Sequence, residues 1–410
     1  MNEDDEPPLL HAFAGYGIEL EYMIVDREHL SVLPVADRLL AQDGTGGPAG
    51  GPLGWSNEFV LHVIEVKNLR PAATLEELPA AFQREVLAID ARLAALNARL
   101  MPGAMHPCMD PRAETRLWPH ANDAIYRAYD RIFDSRSHGW ANLQSMHVNL
   151  PFAGDAEFAR LHAAIRLLLP VLPALAASSP VADSRVTGCA DYRMQVYSDN
   201  ANGIPSIAGM VVPETVSSRR AYEDCILAPM YRDIAPHDPD GVLREEWLNS
   251  RGAIARFSRN AIEIRVLDTQ ECVQADLAVA VACCAAVRML YDKGAHALDR
   301  QQEMPTAALA RILQDCIRDA EDAVIDDPRY LALLGYPANR CRAGDLWRQL
   351  AAPLAQAGPW STPLQAILRH GTLSRRILRA LGPEPGREAI DEVYRRLCDC
   401  LRQGAMFLPG

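Results

Sequence analysis

The sequence predicts an α+β fold, in which a largely antiparallel sheet keeps one polar face and carries helices on the other. Three observations predict it. Short runs alternate apolar and charged residues at a period of two, as in Gly17-Ile18-Glu19-Leu20-Glu21-Tyr22-Met23-Ile24 and Ala261-Ile262-Glu263-Ile264-Arg265-Val266-Leu267. Long helical stretches separate these runs. Regular βαβ alternation and a glycine-rich dinucleotide fingerprint are both missing, which weighs against a doubly wound parallel sheet.

Each element follows from local pattern. Residues 1–14 form an acidic tail and 18–25 a strand; the Gly/Pro-rich segment 44–54 reads as a flexible connector. That segment lacks the Gly-Lys-Ser/Thr ending and helix start of a phosphate-binding loop. Phe59 to Val66 is the next strand. Thr74, with Glu77 three residues on, has capping-box spacing and is expected to open a long helix. The stripe of that helix runs through Leu75, Leu78, Phe82, Val86, Ile89, Leu93, Leu96 and Leu100. Ser145 to Leu150 alternates again, with His147 and Asn149 on one face and Met146, Val148 and Leu150 on the other. Residues 156–177 are helical with interruptions at Pro170 and Pro173, and 190–200 read as a loop. After the Glu263/Arg265 strand, Asp276 begins a helix apolar almost all round and therefore buried. From about Met304 short helices are joined by Pro/Gly turns. The chain thus divides into the tail 1–14, a sheet-bearing core 15–300, and a mainly helical part 301–410 expected to pack on that core.

Composition narrows the function. A chain of 410 residues that is 49% hydrophobic can bury a large core. A formal net charge of −12 argues against nucleic acid as a partner and points to small-molecule substrates. Only Lys67 and Lys293 supply lysine, so forked anion binding falls to arginine. The apolar stretch Leu277 to Val287 is too short to span a bilayer, which leaves no membrane partner. The acidic N-terminus has no signal pattern, and ten scattered cysteines include no C-x-x-C pair. A cytoplasmic protein with free thiols is expected. The oligomeric state is open.

The acidic residues Glu19, Glu21, Glu58, Glu65 and Glu263 all fall in or beside expected strands, where glutamate is depleted. Carboxylates at about 4 Å repel by roughly 4 kcal/mol per pair at an effective dielectric of 20, so a converging set calls for cations or protons. Oxygen donors without cysteine match Mg²⁺ or Mn²⁺. The competing reading is a wet sheet face, where alternating glutamate is ordinary. Glu58 and Glu65, seven apart, have opposite parity, so either Glu58 precedes the strand or a bulge intervenes. His147 with Asn149 can bind metal or a polar substrate group. Lys67 can reach a phosphate or pair with Glu65, and Arg193 and Arg265 can grip an anion in a fork.

Taken in order, Gly-Ile-Glu19-x-Glu21, Glu58-x6-Glu65, Met-His147-x-Asn149, Tyr192-Arg193-Met and Ile-Glu263-x-Arg265-x-Leu-Asp268 resemble the glutamate–cysteine ligase (γ-glutamylcysteine synthetase) and related carboxylate–amine ligase superfamily. The resemblance spans roughly residues 15–290. It implies a glutamine-synthetase-like core over 15–300, with a funnel-shaped sheet that binds ATP and Mg²⁺ or Mn²⁺. It implies Glu19, Glu21, Glu58, Glu65, His147 and Glu263 as metal ligands, with Glu263 and Arg265 in catalysis. Arg265 would contact the transferred phosphoryl group, instead of balancing Glu263; Lys67 matches no family residue and is a candidate nucleotide contact only by its own reach to a phosphate. Arg193, Asn149 and Tyr192 would bind substrate. Glu58 stands where the nearest family members carry aspartate. The implied activity is ATP-dependent amide formation between the side-chain carboxylate of glutamate and the amine of cysteine or another amino compound, through an acyl phosphate, as in glutathione biosynthesis. The alternatives are a ligase of the same superfamily acting on another carboxylate–amine pair or a peptide, and a silent nucleotide-binding relative.

Overall fold

The period-two runs become one eight-stranded sheet in a computed structural model that describes residues 9–48, 50–356 and 358–409. In chain order its strands are β1 (Gly17–Asp26), β2 (Thr45–Gly46), β3 (Leu53–Asn57), β4 (Val63–Asn68), β5 (Ala98–Met101), β6 (Ser145–Pro151), β7 (Ala253–Arg256) and β8 (Ala261–Asp268). Across the sheet the order is β2-β3-β4-β1-β6-β8-β7, with β5 also paired to β1. Neighbouring strands run antiparallel throughout. Most of the acidic tail, residues 1–8, lies outside the described residues.

One face of this sheet is dry. Ile18, Leu20, Tyr22, Ile24, Ile64, Val66, Val148, Leu150, Ile262 and Ile264 are all fully buried on it. Three helices cover that face: α1 (Leu78–Ala94), α3 (Gly154–Leu168) and α5 (Val273–Tyr291). Over the other face lie α2 (Asp123–Phe133) and α4 (Tyr192–Asp199). Burying a fully apolar Ile or Leu side chain contributes about 1.5–3 kcal/mol, so the dry face fixes the register of the wet one. Residues after 301 join the same core, where Trp347 Nε1 donates to the Val171 carbonyl at 2.6 Å and the Tyr330 hydroxyl to that of Leu167 at 2.9 Å.

Several expected boundaries move. The first long helix stops at Ala94, because Asn97 adopts a left-handed conformation and Leu100 pairs with Ile24 in β5. Its N-cap position is Glu77 with no side-chain cap bond, so the Thr74/Glu77 capping box does not form. The connector 44–54 contributes β2 and the start of β3, while the strand expected from Phe59 begins at Val63. Segment 190–200 is not a loop. Asp191 accepts a hydrogen bond from the Met194 N–H at 2.9 Å and caps α4, a helix hard to see in sequence because one face carries polar residues toward a cavity. α5 starts at Val273 rather than Asp276 and is long and apolar enough to cross a membrane by length and composition. Most of it is buried within the protein, against α1 and α3.

Candidate functional site

Register assembles the charges. Glu19 lies opposite Lys67 on β4 and His147 on β6, Glu21 opposite Glu65, and Glu263 opposite Asn149. Directly paired residues share a face, so these side chains converge on the wet side. Glu58 sits in the turn between β3 and β4, which accounts for its parity without a bulge. A cavity of about 350 Å³ covers this face, lined by Glu19, Glu21, Glu58, Glu65, Lys67, His147, Arg193, Glu263 and Arg265 among others.

β8 does contain a bulge. Between Ile264 and Leu267 it carries one residue more than β6 opposite it, and the extra residue reverses the alternation. Asp268, which simple parity would turn away from Glu263, therefore comes opposite Ser145 on the wet side. There it accepts from Arg193 Nε at 2.5 Å and from the Ser178 N–H at 2.7 Å. Arg193 is buried by this pair, yet its guanidinium still reaches the cavity wall.

The face divides electrostatically. At the β7/β8 side, Glu263 is held by Arg265 through both Nε and Nη2 and by Arg256 Nη1 at 3.2 Å. Burial works to raise its carboxyl, but Arg265, His147 and Arg256 outweigh it and bring it to about 2. Arg265 is thus the direct counter-charge of Glu263, contrary to the expectation that it would not balance that residue. In the middle, His147 Nδ1 meets Glu19 at 3.0 Å and Nε2 meets the Ser145 hydroxyl at 2.9 Å, while that hydroxyl donates to Glu21 at 3.0 Å. A doubly protonated imidazolium satisfies all three contacts, and although burial opposes its charge, the surrounding glutamates raise its pKa. Burial likewise works to raise Glu19, but His147 outweighs it and lowers the carboxyl.

On the β3/β4 side the balance reverses. Lys67 Nζ lies 2.5 Å from Glu65. Burial and the charge of Glu19 nevertheless push the Glu65 carboxyl up. Glu58 has no ion-pair partner among the described residues, and burial together with Glu21 and Glu65 pushes it well above the ordinary carboxylate range.

The donor set suits a hard cation by its chemistry, because excess buried carboxylate oxygen is what such an ion neutralises. Among the described residues no three such side chains are already drawn together as a ligand set. As held here, His147 and Glu263 spend their polar atoms on protein partners. Asn149 and Tyr192 are absent from the cavity lining, and Asn149 donates to Glu19 at 3.2 Å and so orients it.

Sequence reading missed Arg256 and Arg259, on the hairpin joining β7 and β8, and Tyr129, Trp140, Tyr197, Asn200 and Trp247, which form the opposite wall. Counting back across the hairpin from Glu263 finds Arg256. The aromatic residues come from separate segments with no shared spacing, so only the fold brings them together.

A family model described as glutamate–cysteine ligase family 2 (GCS2) matches residues 16–399. An uncharacterized protein of Archaeoglobus fulgidus is 31% identical over 396 residues, covering 96% of this chain and 100% of that protein. A Bradyrhizobium diazoefficiens protein, provisionally named glutamate–cysteine ligase 2, is 28% identical over 297 residues, and the match covers 68% of this chain but only 62% of that protein. The solved structure of a Francisella tularensis glutamate–cysteine ligase in complex with AMP aligns with a TM-score of 0.59 at 13% identity, over 94% of this chain and 88% of that one. That likeness is one of fold. The chain belongs to glutamate–cysteine ligase family 2, a family of carboxylate–amine ligases.

Proposed function

We propose that this protein is an ATP-dependent ligase that joins the side-chain carboxylate of glutamate, or a closely similar acid, to a primary amine through an acyl phosphate. The observation that supports it most is the convergence of five glutamates and Arg265 from the sheet and its β3/β4 turn with Arg193 from α4 around a single cavity. The AMP held by the Francisella relative supports a nucleotide in the same fold.

In the first step a carboxylate oxygen bonds to the γ-phosphorus, the bond from that phosphorus to the β,γ-bridging oxygen breaks, and ADP leaves with the electron pair. In the second, the amine nitrogen bonds to the acyl carbon, the bond from that carbon to the phosphate oxygen breaks, phosphate leaves, and the nitrogen gives up a proton. No protein nucleophile is required.

Glu58, Glu21 and Glu65 would hold Mg²⁺ or Mn²⁺, with Glu19, His147 and Glu263 joining if they exchange protein partners for it. Bound there, the ion supplies charge neutralisation for the triphosphate. Arg265, rigid in its bulge and anchored by Glu263, sets a fixed positive group beside the transferring phosphoryl. Lys67, paired with Glu65, adds positive charge at the same floor. Arg193, oriented by Asp268 and by the Arg265 carbonyl that accepts from its Nη1 and Nη2 at 3.4 Å, would turn the remaining N–H groups of those two nitrogens to the carboxylate substrate. Free thiols at all ten cysteines suit a reducing compartment such as the cytoplasm.

The test is incubation of the purified protein with ATP, Mg²⁺, glutamate and mixed amines, reading ADP release and product mass. One ADP per amide, with a product mass equal to glutamate plus amine less water, is the expected result. Tight nucleotide binding with no turnover on any amine would replace the ligase reading by that of a silent relative.

A further inference from the structure

We infer that the aromatic wall of the cavity is the acceptor subsite, and that it takes a primary amine carrying an aromatic or extended apolar group. This rests on the ligase reading above and goes beyond it by naming the acceptor class and the residues that choose it.

The two sides of the cavity differ in kind. Opposite the charged floor, Tyr129 of α2 lies with its ring 5.0 Å from Trp140 and 6.0 Å from Trp247, both tilted; Tyr129 itself is buried and supports the two half-buried tryptophans, which present most of the aromatic surface. Trp140 Nε1 is already committed to the Asn200 carbonyl at 3.1 Å, and its ring packs on Phe59, Tyr129 and Phe133, so what it offers a ligand is the part of the ring these neighbours leave uncovered. The close approach of this segment to α4 depends on Gly139, where a Cβ would lie 2.8 Å from the Val196 carbonyl oxygen.

At the edge of that surface two polar atoms are buried with no hydrogen-bond partner among the described residues: the Tyr197 hydroxyl and Asn200 Oδ1. Tyr197 is only 9% exposed, and both residues line the cavity. They are three apart at the end of α4 and so share its face. Leaving such atoms unpaired is costly, and the cavity is where a ligand can pair them. Asn200 Nδ2 donates to the Gly139 carbonyl at 3.2 Å, which leaves Oδ1 free to accept from an amine N–H. Tyr197 neighbours Arg265, which can only donate, so the phenolic proton remains available for a ligand oxygen beside that arginine. An amine seated with its apolar body on the Tyr129/Trp140/Trp247 surface therefore meets an acceptor for its nitrogen between the wall and the phosphoryl end.

The experiment separates this subsite from the ligase chemistry. Hydroxylamine needs no side-chain pocket and traps an activated carboxylate as a hydroxamate. Wild-type protein is given ATP, Mg²⁺ and glutamate with hydroxylamine, tyramine, phenylalanine, glycine or cysteine, and the same set is run with Trp140→Ala, Trp140→Phe and Asn200→Ala. We expect tyramine or phenylalanine to exceed glycine and cysteine in kcat/KM by about tenfold or more. Trp140→Ala and Asn200→Ala should raise the KM for the aromatic amine about tenfold more than they change the hydroxylamine reaction, with Trp140→Phe restoring most of it. Preference for glycine or cysteine, equal effects on hydroxylamine and amine, or a Trp140→Ala effect on the KM for ATP would overturn the subsite while leaving the ligase reading intact. The last of these would assign the wall to the adenine base. Absence of hydroxamate in the wild type would overturn both.

Discussion

The two ends of the wet face solve opposite problems. On β7 and β8, Glu263 meets two arginines and a histidine and stays ionised far into acid, whereas around the β3/β4 turn Glu58 meets two further carboxylates and is driven toward the protonated form. Both sets are glutamates on one sheet over one cavity. The difference shows that residue type alone does not define a cation site: the end with spare positive charge is ready for an anion, and the end with spare carboxylate is ready for a cation. A phosphoryl group bridging a metal and an arginine needs both ends side by side.

Arg265→Ala should break this contrast most severely. Removing one partner of a buried pair leaves the other charge uncompensated, at about 3–5 kcal/mol. Arg256 and His147 still face Glu263, which places the expected loss at the lower end of that range. Turnover should fall about a thousandfold if Arg265 also meets the phosphoryl group. Urea unfolding and single-turnover ADP formation measure the two effects, and a variant of unchanged stability would show that the pair contributes little.

Next in size is the pH signature of the metal-free protein. Glu263 is depressed from the ordinary 4.5 to about 2, so its contribution is present above pH 4.5 and lost as pH falls through 2, amounting to roughly 3 kcal/mol. Glu58 is raised, so its contribution is complete below pH 4.5 and is lost as pH rises through its folded value. In chelator, Glu263→Gln should flatten the acid limb of the stability curve and Glu58→Gln the limb above it. Both variants flattening the same limb would refute the division.

Glu58→Gln carries a smaller and oppositely signed effect. Relieving an unpaired carboxylate should stabilise the metal-free protein by about 0.5–2 kcal/mol at pH 7.5 while weakening Mg²⁺ activation. Thermal midpoints in chelator and in Mg²⁺ should therefore shift in opposite directions relative to wild type.

Much of this face was legible because strand alternation is rigid. Glu19 with Glu21, His147 with Asn149, and Glu263 with Arg265 each follow from parity, and the dry residues between them confirm which side is buried. The features that stayed hidden depend on contacts between distant segments. The bulge that turns Asp268 inward is specified by pairing with β6 and with the Gly252 carbonyl, which accepts from the Arg265 N–H at 3.0 Å. The helix α4 has few apolar positions to count, since only Met194, Val196 and its two tyrosines are apolar and part of it faces a cavity, and reading its segment as a loop concealed Tyr197 and Asn200. Leu96 and Leu100 continued a helical stripe only by coincidence of spacing, because Asn97 ends it and residues 98–101 pair into the sheet as β5.

Lys67 gives the smallest expected effect and the sharpest choice between roles. It lies opposite Glu19 and pairs with Glu65, the one ammonium at the carboxylate-rich end. If it serves mainly to offset those carboxylates, Lys67→Met removes a positive neighbour from the cation site, and the Mg²⁺ concentration for half-activation should fall about threefold, equivalent to about 0.6 kcal/mol. If it instead reaches the nucleotide, the same change should raise the KM for ATP at saturating Mg²⁺ and leave the metal requirement where it was. The two readings move different titrations, so paired Mg²⁺ and ATP titrations of this one variant decide whether the single lysine of the floor belongs with the glutamates or with the phosphates.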